Sequence, residues 1–236
     1  MKNKIVILMC VLCVFSTKIL SQTEYTTENE KDIYWQPDIE IQFSDYQATI
    51  DTNCVKYNEK YGVQMSSSMG FRGVVDVPKR HKRSNYDKAY FAPVFCRKCS
   101  CILSEDTLGL KVENLLFDAA EFYARMSRKA LLEIHKTMNA DNTNQMFFTA
   151  VKNKYEKEMY QFFAAVYEDV LFTRNDSAYH KWRELVDEFL ENSEEYATTP
   201  KDCYRFVLGK PIDKGYIKAK HLVNFDFSKK EEEKEK

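Results

Sequence analysis

The spacing of apolar residues changes at Gly109, and this change constrains the possible fold more than any other feature of the chain. Between about Tyr34 and Leu103 the apolar residues form short runs separated by turn residues, which is typical of β-strands. After Gly109 they recur at steps of three and four residues, as on the buried face of an amphipathic helix. The sequence therefore predicts an α+β fold in which an N-terminal antiparallel sheet packs on three amphipathic helices.

Individual elements follow from the same pattern. Strands are predicted at residues 39–43, 74–77 and 90–94. Apolar stripes that begin at Val112, Val151 and Tyr179 predict the three helices. The third helix has Asn175 or Asp176 as its N-cap, because either side chain can accept a hydrogen bond from the first turn.

The last part of the chain is predicted to leave the helical pattern. Pro200 is expected to end the helical part. Residues 203–208, the turn at residues 209–211 and the alternation over residues 217–227 predict a C-terminal hairpin. The expected organisation is thus an α+β domain over residues 33–198, followed by a hairpin extension over residues 199–228.

The two ends of the chain differ in composition from the part between them. Lys2 and Lys4 precede an apolar run over residues 5–15, and this layout predicts a signal peptide over residues 1–21. Residues 22–32 are expected to form a flexible leader and residues 229–236 a charged, disordered tail, since both are too poor in apolar residues to pack.

The charge of the expected mature chain excludes one class of partner. Loss of residues 1–21 removes three of the 35 basic residues and none of the 36 acidic ones, which leaves 32 basic and 36 acidic residues and a net charge of −4. This balance gives no reason to expect a nucleic-acid partner. No later apolar stretch is long enough for a transmembrane helix. We therefore expect an exported protein, periplasmic or secreted.

The segment over residues 112–125 reads VENLLFDAAEFYAR. It resembles the signature helix H-E-x-x-H-F-D-x-x-E-x-Y-A-R of a bacterial family of predicted secreted zinc-dependent proteases. The matching residues are Glu113, Phe117, Asp118, Glu121, Tyr123, Ala124 and Arg125. Two outer elements, at residues 43–46 and 179–182, are similar to further family elements. The resemblance implies a zincin-like arrangement, with the signature helix against the sheet.

Both histidines of that signature are absent from this chain. A zinc protease places two histidines at i and i+4 around one metal ion, and here these positions hold Val112 and Leu116. Aliphatic side chains have no lone pair for a metal, so zinc, the family's cofactor, is predicted to be lost and no metal site is expected. Glu113 then becomes a vestigial general base, because it has no metal-bound water to activate.

The other polar residues of the segment lie on a second side of the helix. Glu121 precedes Arg125 by four residues, the spacing of a helix ion pair. In the resembled family, acids at the positions of Asp118 and Glu121 would orient the metal site. Without a metal, Asp118, Glu121 and Arg125 are expected either to border a cleft or to maintain the fold.

Five cysteines remain after the expected signal peptide: Cys54, Cys96, Cys99, Cys101 and Cys203. In an exported protein the default for such residues is disulfide bonding, and an odd number leaves one thiol over. The spacing of Cys96, Cys99 and Cys101 also resembles part of a metal site or a redox motif. The sequence favours disulfides and leaves their connectivity open.

These observations lead to three hypotheses for function. The first is a catalytically inactive, exported relative of the protease family that acts as a binding or envelope scaffold for a protein, a peptide or an envelope component. The second is an active metal-dependent hydrolase whose ligands come from elsewhere, such as His180 or the cysteines, together with Glu113. The third is a purely structural envelope protein.

Overall fold

The apolar runs at residues 74–77 and 90–94 form the centre of a sheet in the computed structural model, which describes residues 25–50, 52–80, 86–140 and 142–223. The strands of the described part are β1 (Asp32–Tyr34), β2 (Met65–Ser66), β3 (Met69–Pro78), β4 (Lys88–Cys96), β5 (Cys101–Ile102) and β6 (Tyr216–Lys218). The predicted signal peptide and the charged tail lie outside the described residues.

Strands β3 and β4 pair antiparallel, from Met69 opposite Phe95 to Asp76 opposite Lys88. Strand β1 pairs with β4 and strand β6 with β3, so the four-stranded sheet has the order β1-β4-β3-β6. Strands β2 and β5 form a separate antiparallel pair. The predicted antiparallel sheet is confirmed, together with its strands at residues 74–77 and 90–94.

The α-helices of the described part are α1 (Thr52–Tyr61), α2 (Thr107–Met138), α3 (Thr143–Val166), α4 (Asp176–Glu191) and α5 (Pro200–Leu208). The three predicted helices correspond to α2, α3 and α4. Asn175 caps α4 as predicted, since its side chain accepts a hydrogen bond from the backbone N–H of Ala178. No helix in the described residues is both long and apolar enough to cross a membrane.

The main hydrophobic core lies between the sheet and helices α2, α3 and α4. Phe91 of β4 stacks on Phe148 of α3, with ring centroids 5.0 Å apart. Gly73 of β3 allows this approach, because a Cβ atom there would lie 2.6 Å from the Phe148 ring. The apolar stripe of α2 belongs to the same cluster of buried residues.

The predicted C-terminal hairpin is wrong, because residues 203–208 are helical. The Thr199 side chain accepts a hydrogen bond from Asp202 N–H, and the Asp202 carboxylate accepts one from Thr199 N–H, which forms a capping box. Pro200 occupies the first helical turn, where its missing N–H costs no hydrogen bond. Pro200 therefore begins helix α5 and does not end the helical part, and the only strand after it in the described residues is β6.

The strand predicted at residues 39–43 is also wrong, because this segment is irregular and ends in a 3-10 turn at Phe43–Asp45. Ile41 is buried, and its backbone N–H and C=O both bond to the Asn114 side chain of α2, at 2.7 and 3.0 Å. An amide side chain here satisfies the backbone groups that a neighbouring strand would otherwise satisfy. The apolar alternation reflects burial without strand pairing.

Part of the predicted flexible leader has defined contacts. Tyr34 N–H donates to the carbonyl of Thr27 at 2.9 Å, and Arg97 forms an ion pair with Glu28 and a hydrogen bond to the carbonyl of Asn29. Residues 27–29 therefore contact β1 and the turn that follows β4.

Four of the five cysteines in the described residues lie in two pairs. Cys54 of α1 is bonded to Cys101 of β5, with Cα atoms 6.5 Å apart, and Cys96 is bonded to Cys99 across a 3-10 turn, with Cα atoms 5.2 Å apart. Cys203 of α5 is buried and unpaired. Two bridges and one thiol are compatible with the predicted disulfide chemistry.

We predict that mature protein contains one free thiol, at Cys203, and that this thiol resists alkylation while the protein is folded. Burial raises the pKa of the Cys203 thiol to about 12, so the reactive thiolate is scarce. Alkylation followed by peptide mass spectrometry, with and without denaturant and without reductant, measures both properties. More than one labelled cysteine in the denatured sample, or rapid labelling of the native protein, would contradict the assignment.

Candidate functional site

The two positions that hold zinc ligands in the resembled family lie in the core. Val112 and Leu116 are 0% exposed and pack in the main hydrophobic cluster with residues of the sheet and of helices α3 and α4. A side chain in this place contributes burial energy, roughly 1.5–3 kcal/mol for an aliphatic residue. This side of α2 is therefore a structural face.

Glu113 is the buried acid of that helix. Tyr167 Oη donates a hydrogen bond to Glu113 Oε1 at 2.9 Å, and the Ser67 hydroxyl lies beside the same carboxyl. Ser67 Oγ is in turn 2.9 Å from the hydroxyl of Tyr46. The other carboxyl oxygen, Oε2, has no hydrogen-bond partner among the described residues. Tyr46 belongs to one of the two outer elements noted in the sequence, so the fold brings that element next to the signature helix.

The environment of Glu113 favours its protonated form. Burial raises the pKa of Glu113 to about 7, and hydrogen bonds from Ser67 and Tyr167 offset only part of this effect. No cation pairs with the carboxyl in the described part of the chain. Ser67 and Tyr167 also line a cavity of about 120 Å³. The group can exchange a proton near neutral pH, and its hydrogen-bond partners are the hydroxyls of Ser67 and Tyr167.

Asp118 connects the start of the domain to helix α4. Its carboxylate accepts hydrogen bonds from Trp35 Nε1 at 2.7 Å and from Arg183 Nη1 at 2.6 Å. Arg183 also pairs with Asp187 on its own helix. These partners differ from those of Glu113, so the structure does not bring the two acids into one cleft.

Glu121 and Arg125 form a buried ion pair, with Arg125 Nε 2.7 Å from Glu121 Oε1. Glu121 also accepts hydrogen bonds from the backbone N–H and the hydroxyl of Thr198, and Arg125 donates to the carbonyl of Leu190 at 2.7 Å. Because each charged group has several partners, the pair can offset its cost of desolvation. It ties α2 to the end of α4 and to the segment before α5.

The residues proposed to rebuild a metal site are not brought together. His180 is exposed on α4, and Cys96, Cys99 and Cys101 are in disulfides. Among the residues that the structure describes, no three His, Cys, Asp or Glu side chains lie where they could hold one metal ion. His81 is outside those residues.

A larger cavity, of about 310 Å³, lies where β4 meets the second half of α2, and the sequence did not predict it. Its lining combines aromatic, aliphatic and charged side chains, namely Tyr86, Asp87, Ala89, Phe91, Arg128, Leu131, Leu132, His135, Asn144 and Tyr196. Four of these, from Arg128 to His135, have the spacing i, i+3, i+4 and i+7 and so share one face of α2. That mixture of cationic and apolar residues on one helix face was the only local signal for the cavity.

Two charged groups of this cavity have incomplete hydrogen bonding. Asp87 Oδ2 accepts a hydrogen bond from the backbone N–H of Gln145 at 2.6 Å, in the first turn of α3, while Oδ1 has no partner among the described residues. Burial raises the pKa of Asp87. Arg128 Nε also lacks a partner in the described part of the chain. Such groups are uncommon in protein interiors and mark this cavity as a candidate ligand site.

Comparison with known proteins adds no assignment: no protein-family model, curated protein or solved structure matches the chain. Nothing in these comparisons identifies the zinc-protease family that residues 112–125 resemble.

We predict that Glu113→Gln removes much of the pH dependence of stability between about pH 4 and pH 8. The folded pKa of Glu113, about 7, lies above its ordinary value of 4.5, so the native state binds this proton more tightly than the unfolded state. Stability from this group is fully present below about pH 4.5 and is lost as pH rises through about 7, on the order of 3 kcal/mol in total.

Urea unfolding at a series of pH values measures this effect. Glu113→Gln should be more stable than the wild type at the alkaline end, because glutamine has no proton to lose. Glu133→Gln is the matched control, since Glu133 is exposed on the same helix, and it should keep the wild-type slope. An equal slope in wild type and Glu113→Gln would show that the carboxyl is not the titrating group.

Proposed function

We propose that the protein is an exported, non-catalytic binding protein and that its ligand occupies the 310 Å³ cavity between β4 and α2. The cavity carries this proposal. Its volume is at the lower end of the range of small-molecule sites, about 300–1,000 Å³, and its lining has the usual combination of apolar walls and a few polar groups. Paired cysteines are compatible with export into an oxidising compartment.

The walls of the cavity belong to the framework of the fold. Phe91 lies in the central strand β4, and Leu131 lies on the long helix α2, and both are buried. Asn144 is held in place by a hydrogen bond from its Nδ2 to the carbonyl of Asp87 at 3.1 Å. A site that is formed before the ligand arrives loses little free energy to ordering when the ligand binds.

The arrangement around α2 supports the absence of catalysis. Val112 and Leu116 are core residues. Glu121 and Arg125 form an ion pair with each other and hydrogen bonds to backbone groups. A hydrolase remains the second candidate because of one observation: the pKa of Glu113, about 7, is in the range of a general acid or base.

Hydrolysis assays separate the two candidates. We predict that purified mature protein contains well under one equivalent of zinc by plasma mass spectrometry and does not hydrolyse fluorescent casein above the rate of a Glu113→Gln control prepared in parallel. Stoichiometric zinc, or casein hydrolysis that Glu113→Gln abolishes, would overturn the non-catalytic function in favour of the hydrolase.

Binding in the cavity can be tested without knowledge of the natural ligand. We predict that at least one of three probes with the same phenylpropyl body, namely phenylpropionate, phenylpropanol and phenylpropylamine, binds the wild type in ligand-observed NMR. Leu132→Trp should abolish this binding, because Leu132 lines the cavity and is 41% exposed, so a larger ring there obstructs the space without disturbing the core. Binding of none of the probes, or equal binding to Leu132→Trp, would refute the binding function at this cavity.

A further inference from the structure

We propose that the ligand of this cavity is a small organic carboxylate with an aromatic or aliphatic body, bound through the positive charge of Arg128. The inference rests on the proposed binding function and specifies its ligand class. It comes from the partners of Arg128, from the charges that surround it and from the apolar walls of the cavity.

The Arg128 guanidinium is held only by neutral oxygens. Nη1 donates to the carbonyl of Tyr196 at 2.6 Å, and Nη2 donates to the carbonyl of Phe91 at 2.6 Å and to Thr198 Oγ1 at 2.5 Å. A guanidinium has five N–H donors, so these three bonds leave two N–H groups, one of them on Nε. No carboxylate of the described residues forms an ion pair with Arg128.

The buried acid that shares the Thr198 hydroxyl with Arg128 already has a cationic partner. The Thr198 hydroxyl accepts from Arg128 and donates to Glu121, so it connects the two groups, but the Glu121 carboxylate is paired with Arg125. This buried network has two guanidinium groups and one carboxylate and therefore one excess positive charge. A partly buried charge without a counterion is unfavourable, and an anion in the cavity would compensate it.

Asp87 does not supply the missing counterion. Its carboxylate accepts a hydrogen bond from Gln145 N–H in the first turn of α3, where the helix dipole favours negative charge, and Asn144 of the same turn also supports it. His135 Nδ1 is 2.9 Å from Thr143 Oγ1 at the start of the same helix. The Asp87 carboxylate and the positive end of helix α3 thus offset each other beside Arg128.

The remaining charges near the cavity are at its rim. Glu195 and Glu133 act on the Tyr196 hydroxyl, and Lys129 lies 5.8 Å from the centre of the same ring. Both glutamates are exposed, so solvent and salt weaken their effect on an anion deeper in the cavity. The positive charge of Arg128, which has no counterion among the described residues, therefore determines which ligand charge the cavity prefers.

The rest of the lining suits an apolar body. Phe91 and Leu131 form a buried wall, while Tyr86 and Leu132 are each 41% exposed at the open side. Tyr86 lies edge-on to His135, with ring centroids 5.2 Å apart. A carboxylate directed at Arg128 would leave an attached ring or short alkyl chain against these residues, and its burial would add to the affinity.

Calorimetric titration with the three phenylpropyl probes tests the ligand class. We expect phenylpropionate to bind wild type at least about tenfold more tightly than phenylpropanol, and phenylpropylamine to bind most weakly. Arg128→Gln should reduce the affinity for the acid to that for the alcohol and leave the alcohol unaffected. Because Arg128 also holds three backbone and side-chain oxygens, its variant is compared only if its circular dichroism and melting behaviour show a folded protein.

Charge substitutions at the mouth keep the test independent of Arg128. Leu132→Glu should weaken phenylpropionate binding about fivefold, and Leu132→Lys should strengthen it by a similar factor, with a smaller effect at high salt. Met138→Glu and Met138→Lys are matched controls, since Met138 is 46% exposed on the same helix but does not line the cavity. They should leave the affinity at the wild-type value.

The outcomes distinguish the ligand class from the binding function. If the alcohol or the amine binds as tightly as the acid, or if Leu132→Glu and Leu132→Lys shift the affinity no more than the Met138 variants, the carboxylate proposal is overturned while the binding function stands. If none of the probes binds, the binding function fails as well. Preference for the acid, with opposite shifts in the two Leu132 variants, supports both.

Discussion

The burial of helix α2 on nearly every side between Val112 and Arg125 is the constraint on which the rest of the structure depends. Between Val112 and Arg125 only Asn114, Asp118 and Phe122 are not buried. A helix so enclosed cannot leave its polar side chains to water, so each needs a partner from another element. Asn114 satisfies the backbone at Ile41, Asp118 holds Trp35 and Arg183, and the Glu121–Arg125 pair holds Thr198 and Leu190. The polar residues of α2 thereby determine where the irregular segments lie.

Glu113 is the member of this set with the poorest partners. Tyr167 and Ser67 supply hydroxyls, but no cation compensates its charge among the described residues, and the resulting pKa is about 7. Glu121, on the same helix, has a guanidinium and a backbone N–H. Glu113 and Glu121 are thus two buried carboxyls of one helix with different partners. Without a cationic partner, the Glu113 carboxyl reduces the stability of the folded state at neutral pH. The fold tolerates this cost because Val112, Leu115 and Leu116 contribute extensive apolar burial.

The spacing of apolar residues predicted the strands and helices whose buried faces repeat regularly. It failed where a side chain, and not a neighbouring strand, satisfies the backbone. Strands at residues 74–77 and 90–94 and the stripes of α2, α3 and α4 were readable because sheet and helix faces impose repeats of two and 3.6 residues. Residues 39–43 look like a strand but pair with Asn114, which no local pattern reveals. Thr199, Pro200 and Asp202 are a helix start that was visible in the sequence, yet Pro200 was interpreted as a stop.

The cavity between β4 and α2 was beyond sequence reasoning for a related reason. In the sequence, Arg128 is one of several cations on a helix. Its guanidinium is positioned by oxygens of Phe91, Tyr196 and Thr198, which are 37 to 70 residues away. Because those oxygens are neutral, they fix the position of the guanidinium without cancelling its charge. The same Thr198 hydroxyl reaches Glu121, so the cavity and the buried ion pair share one hydrogen-bond network. An anion at Arg128 would therefore add a negative charge to a hydrogen-bond network that joins α2, β4 and the segment before α5. Binding of the anion would then stabilise the folded state through this network.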